Sequence, residues 1–174
     1  MALAVLATPA APAGALDGAL AWLSATPLSQ AMRGDPWLYP LVEIVHILGF
    51  AVLVGSVVLF DLRVLGCARG LPVTLLARHL LRWGAAALLL IVPAGLLLFS
   101  AHPDEFARNP AFQLKLALIA AAGLNALLFH VWPYRTVAGW EREVAAPPAA
   151  RAHALLSILL WTGVISCGRL LAYW

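Results

Sequence analysis

Charge is what this sequence has least of. Only 11% of its 174 residues are Asp, Glu, Lys or Arg, while 63% are hydrophobic, and the mean hydropathy is +0.92. A soluble domain carries about 25% charged residues and about 45–50% apolar ones, so a water-soluble globule is excluded. Lysine is confined to Lys115, and arginine fills the other basic positions, a bias expected of a GC-rich bacterial genome. The net charge of +3 does not indicate nucleic acid, because the basic residues punctuate apolar runs and serve as topology signals. Two cysteines, Cys67 and Cys167, are too few for a disulfide framework; one falls in a loop and one near a helix end, so no bridge is expected. Methionine is limited to Met1 and Met32, which argues against a methionine-lined path for soft copper ions. There is no HExxH, no CxxC and no histidine pair at i, i+4, which disfavours a zinc or hard-ion centre.

Long apolar runs are what the chain does have. Four are long enough for the roughly 20 residues of helix that a bilayer core requires: about Leu38–Leu62, Arg78–Ala101, Ala111–Val131 and Arg151–Tyr173. Pro36 and Pro40, Gly70-Leu71-Pro72, His102-Pro103, Pro110 and Pro147-Pro148 mark their ends. Trp37, Tyr39, Trp132, Tyr134, Tyr173 and Trp174 fall where interfacial anchors belong. The expected fold is an all-α bundle of four transmembrane helices over residues 36–174. Residues 1–35 form a tail, in which Leu16–Met32 carries Leu16, Leu20, Trp22, Leu23 and Leu28 and is expected to lie along the membrane surface as an amphipathic helix. Met1–Ala13 is apolar but lacks the basic start of a signal peptide.

Arg63, Arg69, Arg78 and Arg82 border the first loop, and Arg135, Arg142 and Arg151 lie in the third. The positive-inside bias therefore places these loops in the cytoplasm of a bacterial inner membrane, with both termini in the periplasm. The lipid bilayer is the partner implied by composition. The apolar stripes leave monomer and homodimer equally open.

Polar side chains inside such helices are costly and mark function by default. They fall into two layers. The outer layer centres on His46, about 12 Å into the first helix at 1.5 Å per residue, with Glu43 a turn above it and Gly49, Leu53 and Ser56 along the same stripe. Gly49 leaves space either for a flat cofactor or for close helix packing. Lys115 enters the third helix from the same side, and Arg169 on the fourth approaches it. The inner layer holds His79, His130 and His153, with Asn125 between the layers. Asp61 and Arg63 read as boundary charges or as a pair that orders a loop.

This pattern suits haem b. Its iron takes one or two axial imidazoles in a slot between helices, and its propionates take arginine or lysine. His46 is then an outer-layer ligand, and Lys115 positions a propionate or substrate carboxylate. Two of His79, His130 and His153 would hold a second haem, with Arg82 near the inner layer and Arg169 near the outer. A quinone or a redox protein is the expected electron partner. The rival readings are a transporter of copper or another small solute, and a non-catalytic assembly subunit packed through Gly49, Gly55, Gly95 and Gly123.

The run from Trp37 through Leu-Tyr-Pro-Leu-Val-Glu-Ile-Val to His46, then Phe60-Asp61-Leu62-Arg63, then Asn109-Pro110-Ala111-Phe112-Gln113-Leu114-Lys115, resembles an uncharacterised bacterial family of four-helix membrane proteins. At greater distance it is similar to the integral-membrane protoporphyrinogen oxidases, which contain haem, and to the copper-resistance D-type membrane domains. In the oxidases a histidine of an early helix and a lysine opening a later one are the functional pair. The resemblance places those roles on His46 and Lys115, and Arg63 loosely matches the arginine after the first helix. The acidic C-terminal motif of the oxidases has no counterpart here, so the resemblance implies a membrane haem protein more than that particular reaction.

Overall fold

A computed structural model describes residues 14–171 and 173. Met1–Ala13 and the anchor expected at Trp174 lie outside the described residues. No strand occurs among the described residues, and four helices are long and apolar enough to cross a membrane. Two short helices come first, α1 (Ala15–Ser24) and α2 (Pro27–Gly34), followed by the first span, α3 (Leu38–Leu65). The second span, Val73–Ala101, joins α4 (Val73–Leu76) through a π-helical turn, Ala77–Leu81, to α5 (Arg82–Ala101). After α6 (Pro103–Arg108) come the third span, α7 (Pro110–Val131), a 3-10 segment, Pro133–Gly139, and the fourth span, α8 (Pro148–Leu170).

These bounds correct the sequence reading at several ends. The second span begins at Val73 rather than Arg78. The π-turn inserts an extra residue into the helical ladder there, and so carries the helix across Ala77–Leu81. The first span runs three residues past Leu62 and stops where Gly66 takes φ +117, a left-handed conformation that only glycine adopts without strain. The fourth begins at Pro148, a residue suited to the first helical position, and ends at Leu170. The Asn109 side chain accepts from Ala111 N–H at 2.8 Å and Phe112 N–H at 3.3 Å, which fixes the start of α7.

The expected single surface helix over Leu16–Met32 is two helices. Thr26 breaks it: its hydroxyl oxygen accepts from Ser29 N–H at 3.3 Å, and Pro27 begins a new helix. The second of these is held to the bundle. Ser29 Oγ donates to the Ser100 carbonyl at 2.6 Å, and Arg33 Nη1 donates to the Ala101 carbonyl at 2.7 Å. These are carbonyls at the C-terminal end of α5 that lack helical donors, so α2 acts as a cap on the outer end of the second span. Ser29 and Met32 are buried by it.

The spans pack as two antiparallel hairpins, α3 with α5 and α7 with α8, joined mainly along α3 and α8. Glycines set the close approaches. A Cβ at Gly84 would lie 3.5 Å from side-chain atoms of Leu53 and Ser56, and one at Gly163 would lie 3.0 Å from Leu118 Cδ1. At one end of the bundle the first and third loops fold together over a core of Phe60, Val64, Val73, Phe129 and Trp140. Arg63 is the staple. It is 2% exposed, and it donates to the carbonyls of Leu71 at 2.7 Å, Arg69 at 3.0 Å and Glu141 at 3.1 Å. Arg63 therefore orders both loops through backbone carbonyls, and Asp61 is not its partner. Thr74 Oγ1 donates to Glu141 Oε1 at 2.6 Å and completes the joint. Burial, and then the Glu141 carboxylate, hold the nearby Tyr134 hydroxyl above the ordinary phenol range, with Arg78 acting in the opposite sense.

Candidate functional site

His46 projects from α3 onto α5. Its Nδ1 lies 3.0 Å from the Ile91 carbonyl oxygen. A carbonyl can only accept, so Nδ1 carries the proton and, in the neutral ring, Nε2 keeps its lone pair. The ring rests on Gly95: a Cβ at that position would come 3.0 Å from His46 Cε1 and 3.5 Å from Nδ1. Space for the imidazole thus comes from Gly95 across the helix pair. Gly49, expected to leave that space, is filled by Ile91, whose Cγ1 would be 2.9 Å from a Cβ there. Pro93, between Ile91 and Gly95, has no N–H to offer the Leu89 carbonyl, so the ladder of α5 is already interrupted beside the histidine.

Lys115, about 8 Å into α7 at 1.5 Å per residue, is half-buried. Its ammonium lies close enough to His46 for its charge to act on the imidazole. Its Nζ would be 3.9 Å from a Cβ at Gly168, and the buried Cys167 is also beside it. No carboxylate lies within 4 Å of Lys115 among the described residues. All four spans therefore contribute to one outer layer: His46 from α3, Ile91 and Gly95 from α5, Lys115 from α7, and Cys167 and Gly168 from α8. Below it Phe50 packs edge-on against Trp161 at 5.9 Å between centroids, and Trp161 covers the cluster of Leu53, Ala87 and Ile91. Above it, at the outer mouth, a cleft of about 510 Å³ is lined by residues that include Arg33, Asp35, Tyr39 and His102. Glu43 is exposed. Arg169 does not turn toward this layer: Nη2 donates to the Tyr173 hydroxyl at 2.7 Å, and its guanidinium lies 4.9 Å from that ring's centroid.

The inner histidines are spread over different surroundings. His153 Nδ1 is 2.7 Å from Asn125 Oδ1, and Asn125 Nδ2 donates to the His153 carbonyl at 3.0 Å. That second bond fixes which end of the amide faces the ring, so His153 also carries its proton on Nδ1. Asn125, expected between the layers, belongs to this inner pair and is 5% exposed. His130 is exposed, with Nδ1 2.8 Å from the Ala126 carbonyl of its own helix. It and His153 flank Phe129, at 5.4 and 6.3 Å between ring centroids. His79 sits in the π-turn on the second span, exposed and bonded to Leu75 of the same span at 3.1 Å. Arg82 follows it and is exposed as well.

Three participants are absent from the sequence reading of the layers: Gly95 as the seat of His46, Cys167 beside Lys115, and Asp61. Asp61 is 6% exposed toward the loop end of α3, and the Ser157 hydroxyl of α8 is its polar neighbour. Its apolar neighbours Leu59, Phe60 and Leu62 were the available signal that it points into the bundle. Among the described residues, no three His, Cys, Asp or Glu side chains are grouped closely enough to hold a metal ion. The two cysteines are free, Cys67 exposed and Cys167 buried.

Residues 38–174 match a family of unknown function, DUF6644. No curated protein matches the chain, and no solved structure does.

Proposed function

We propose that this chain, which belongs to the DUF6644 family of unknown function, is a haem b-binding redox protein of the bacterial inner membrane. The observation that carries the reading is His46. Its Nδ1–H is committed to the Ile91 carbonyl at 3.0 Å, which orients the half-buried ring and leaves Nε2 without a hydrogen-bond partner among the described residues. Axial histidines are commonly held this way, the second nitrogen's bond fixing the tautomer and raising ligand basicity. A haem brings four nitrogen donors of its own and needs only one or two from the protein, so it suits a layer with a single imidazole and no metal-binding cluster. His46 would hold the iron, and Lys115, with no carboxylate partner among the described residues, would take a propionate or an anionic substrate group. When bound, the haem supplies one-electron exchange, and a quinone or a redox protein is the partner of matching chemistry.

The protein's own part is to orient His46, exclude water with Trp161 and Phe50, and place one positive charge beside the ring. His153, with Nδ1 likewise committed, is the better candidate for a second haem than His79 or His130, whose rings are exposed. With loops one and three basic, both ends of the bundle's chain face the periplasm in this reading.

The test is a reduced-minus-oxidised visible spectrum of the detergent-purified protein, expressed with ample haem and quantified per chain. The expected result is a sharp reduced α-band at about one haem per chain, lost in His46→Leu and retained in His79→Ala. A featureless spectrum, or an unchanged one in His46→Leu, overturns the reading and leaves transport or assembly as the alternatives.

A further inference from the structure

Asp61 stands apart from every other acidic residue of the chain. The other seven lie in loops or near the ends of helices, whereas Asp61 is 6% exposed within the apolar run that ends α3. Its Oδ2 is buried without a hydrogen-bond partner, the one such side-chain atom among the described residues. The Ser157 hydroxyl of α8 is its polar neighbour across the helix seam. Among the described residues no cation pairs with it. Arg63, two residues on, spends its guanidinium on the carbonyls of Arg69, Leu71 and Glu141. His153, one turn before Ser157 on α8, is turned to Asn125 of α7. Arg78 of the π-turn acts on Tyr134.

A buried carboxylate with one bare oxygen and no counter-ion is far more costly than a neutral carboxylic acid that leaves one hydrogen bond unmade. We propose that Asp61 is a proton-binding site in the interior of the bundle, neutral at rest and exchanging its proton with the inner aqueous face. In that state Oδ2 carries the hydrogen and the Ser157 hydroxyl donates to the other oxygen. Exchange breaks the carboxyl O–H bond and delivers the proton to water. The carboxylate left behind is held by Ser157 until water returns a proton, and no electron moves. Intramembrane carboxyl groups without a fixed partner are the chemistry from which proton-coupled membrane proteins build their relays. The site lies about 22 Å along α3 from His46 at 1.5 Å per residue and does not depend on the haem reading.

Infrared spectroscopy of the full-length protein in lipid, in H₂O and D₂O near neutral pH, tests the proposal without any cofactor. The expected result is one protonated-carboxyl C=O band per chain, above the amide I region, downshifted in D₂O. It should vanish in Asp61→Asn and reappear at a displaced frequency in Asp61→Glu. Ser157→Ala should move the band in a protein whose helical amide bands are unaltered, which keeps the test valid should Asp61→Asn fail to fold. Absence of the band in the folded wild type, or its survival in Asp61→Asn, overturns the proposal. So does a band that appears only after sodium and potassium are removed, since the carboxylate would then be a cation site.

Discussion

The imidazole of His46 occupies the place where residue 95 would otherwise carry a side chain: a Cβ there would lie 3.0 Å from Cε1. Replacing Gly95 by Ala therefore opposes two effects. In a helix interior the exchange is worth about 1 kcal/mol in favour of Ala, while the ring must retreat and stretch its 3.0 Å bond to Ile91, worth about 0.5–1.5 kcal/mol. Gly95→Ala is expected to leave thermal stability in detergent nearly unchanged. Gly95→Leu, which cannot share the space, is expected to lower it clearly and to abolish any signal that depends on His46. Equal behaviour of the two variants would mean that the ring has another seat.

Arg63 satisfies three carbonyls from two loops. Arg63→Ala is expected to cost about 3 kcal/mol or more, because buried acceptors lose a charged donor. Lysine, a point donor without the planar fork, should recover less than half of that loss. Thermal unfolding in detergent gives the size, and limited proteolysis should cut both Cys67–Leu71 and Trp140–Val144 in the variant. Cleavage confined to one loop would argue against the joint described here.

Asn125 and His153 exchange two hydrogen bonds between α7 and α8, at 2.7 and 3.0 Å. Their single alanine variants should be strongly non-additive, with a coupling of about 1–2 kcal/mol in a double-mutant cycle. Additive losses would show that each side chain acts alone.

The outer cap predicts a separable defect. Arg33→Ala removes donors to the Ala101 and Ser24 carbonyls and to Ser29 Oγ, each at 2.7 Å. It is expected to release α2 while leaving the four spans folded. The readout is maleimide labelling of a Met32→Cys reporter, which is 1% exposed in the native protein. Labelling should become fast in the double variant, with far-ultraviolet circular dichroism nearly unchanged. Slow labelling would mean that apolar burial of Met32 holds α2 without the arginine.

Hydrophobic run length located the four spans because a bilayer demands about 20 apolar residues whatever the tertiary arrangement. The same expense of burying polarity singled out His46 and Lys115, which the fold brings into one layer. What one strand of text does not carry is the pairing of helix faces. Gly49 looks as good a neighbour for His46 as any, since it lies on the same stripe, but the seat is Gly95 on the adjacent span. Gly55 and Gly123 resemble Gly84 and Gly163 in sequence, yet nothing lies within 4 Å of a Cβ at either. Asp61 and Arg63 are two residues apart and look like a pair. The helical turn sends one toward α8 and the other toward the loops. The break at Thr26-Pro27 was legible as a cap followed by a proline, and the continuous apolar pattern across Leu16–Met32 masked it. The π-turn left no mark that periodicity alone would catch.

The order in which the spans touch has a consequence for how the protein is made. The first hairpin, α3 with α5, is complete before α7 is synthesised, and the second closes only when α8 emerges. The seam between them, where Phe50 meets Trp161 and Asp61 meets Ser157, is the last joint to form during insertion. Until then Asp61 has no partner from the second hairpin. An acidic group is thereby kept waiting in the membrane, or at its edge, for the final span. A chain truncated before Ser157 would expose that group, and it would present membrane quality control with a definite mark of unfinished assembly.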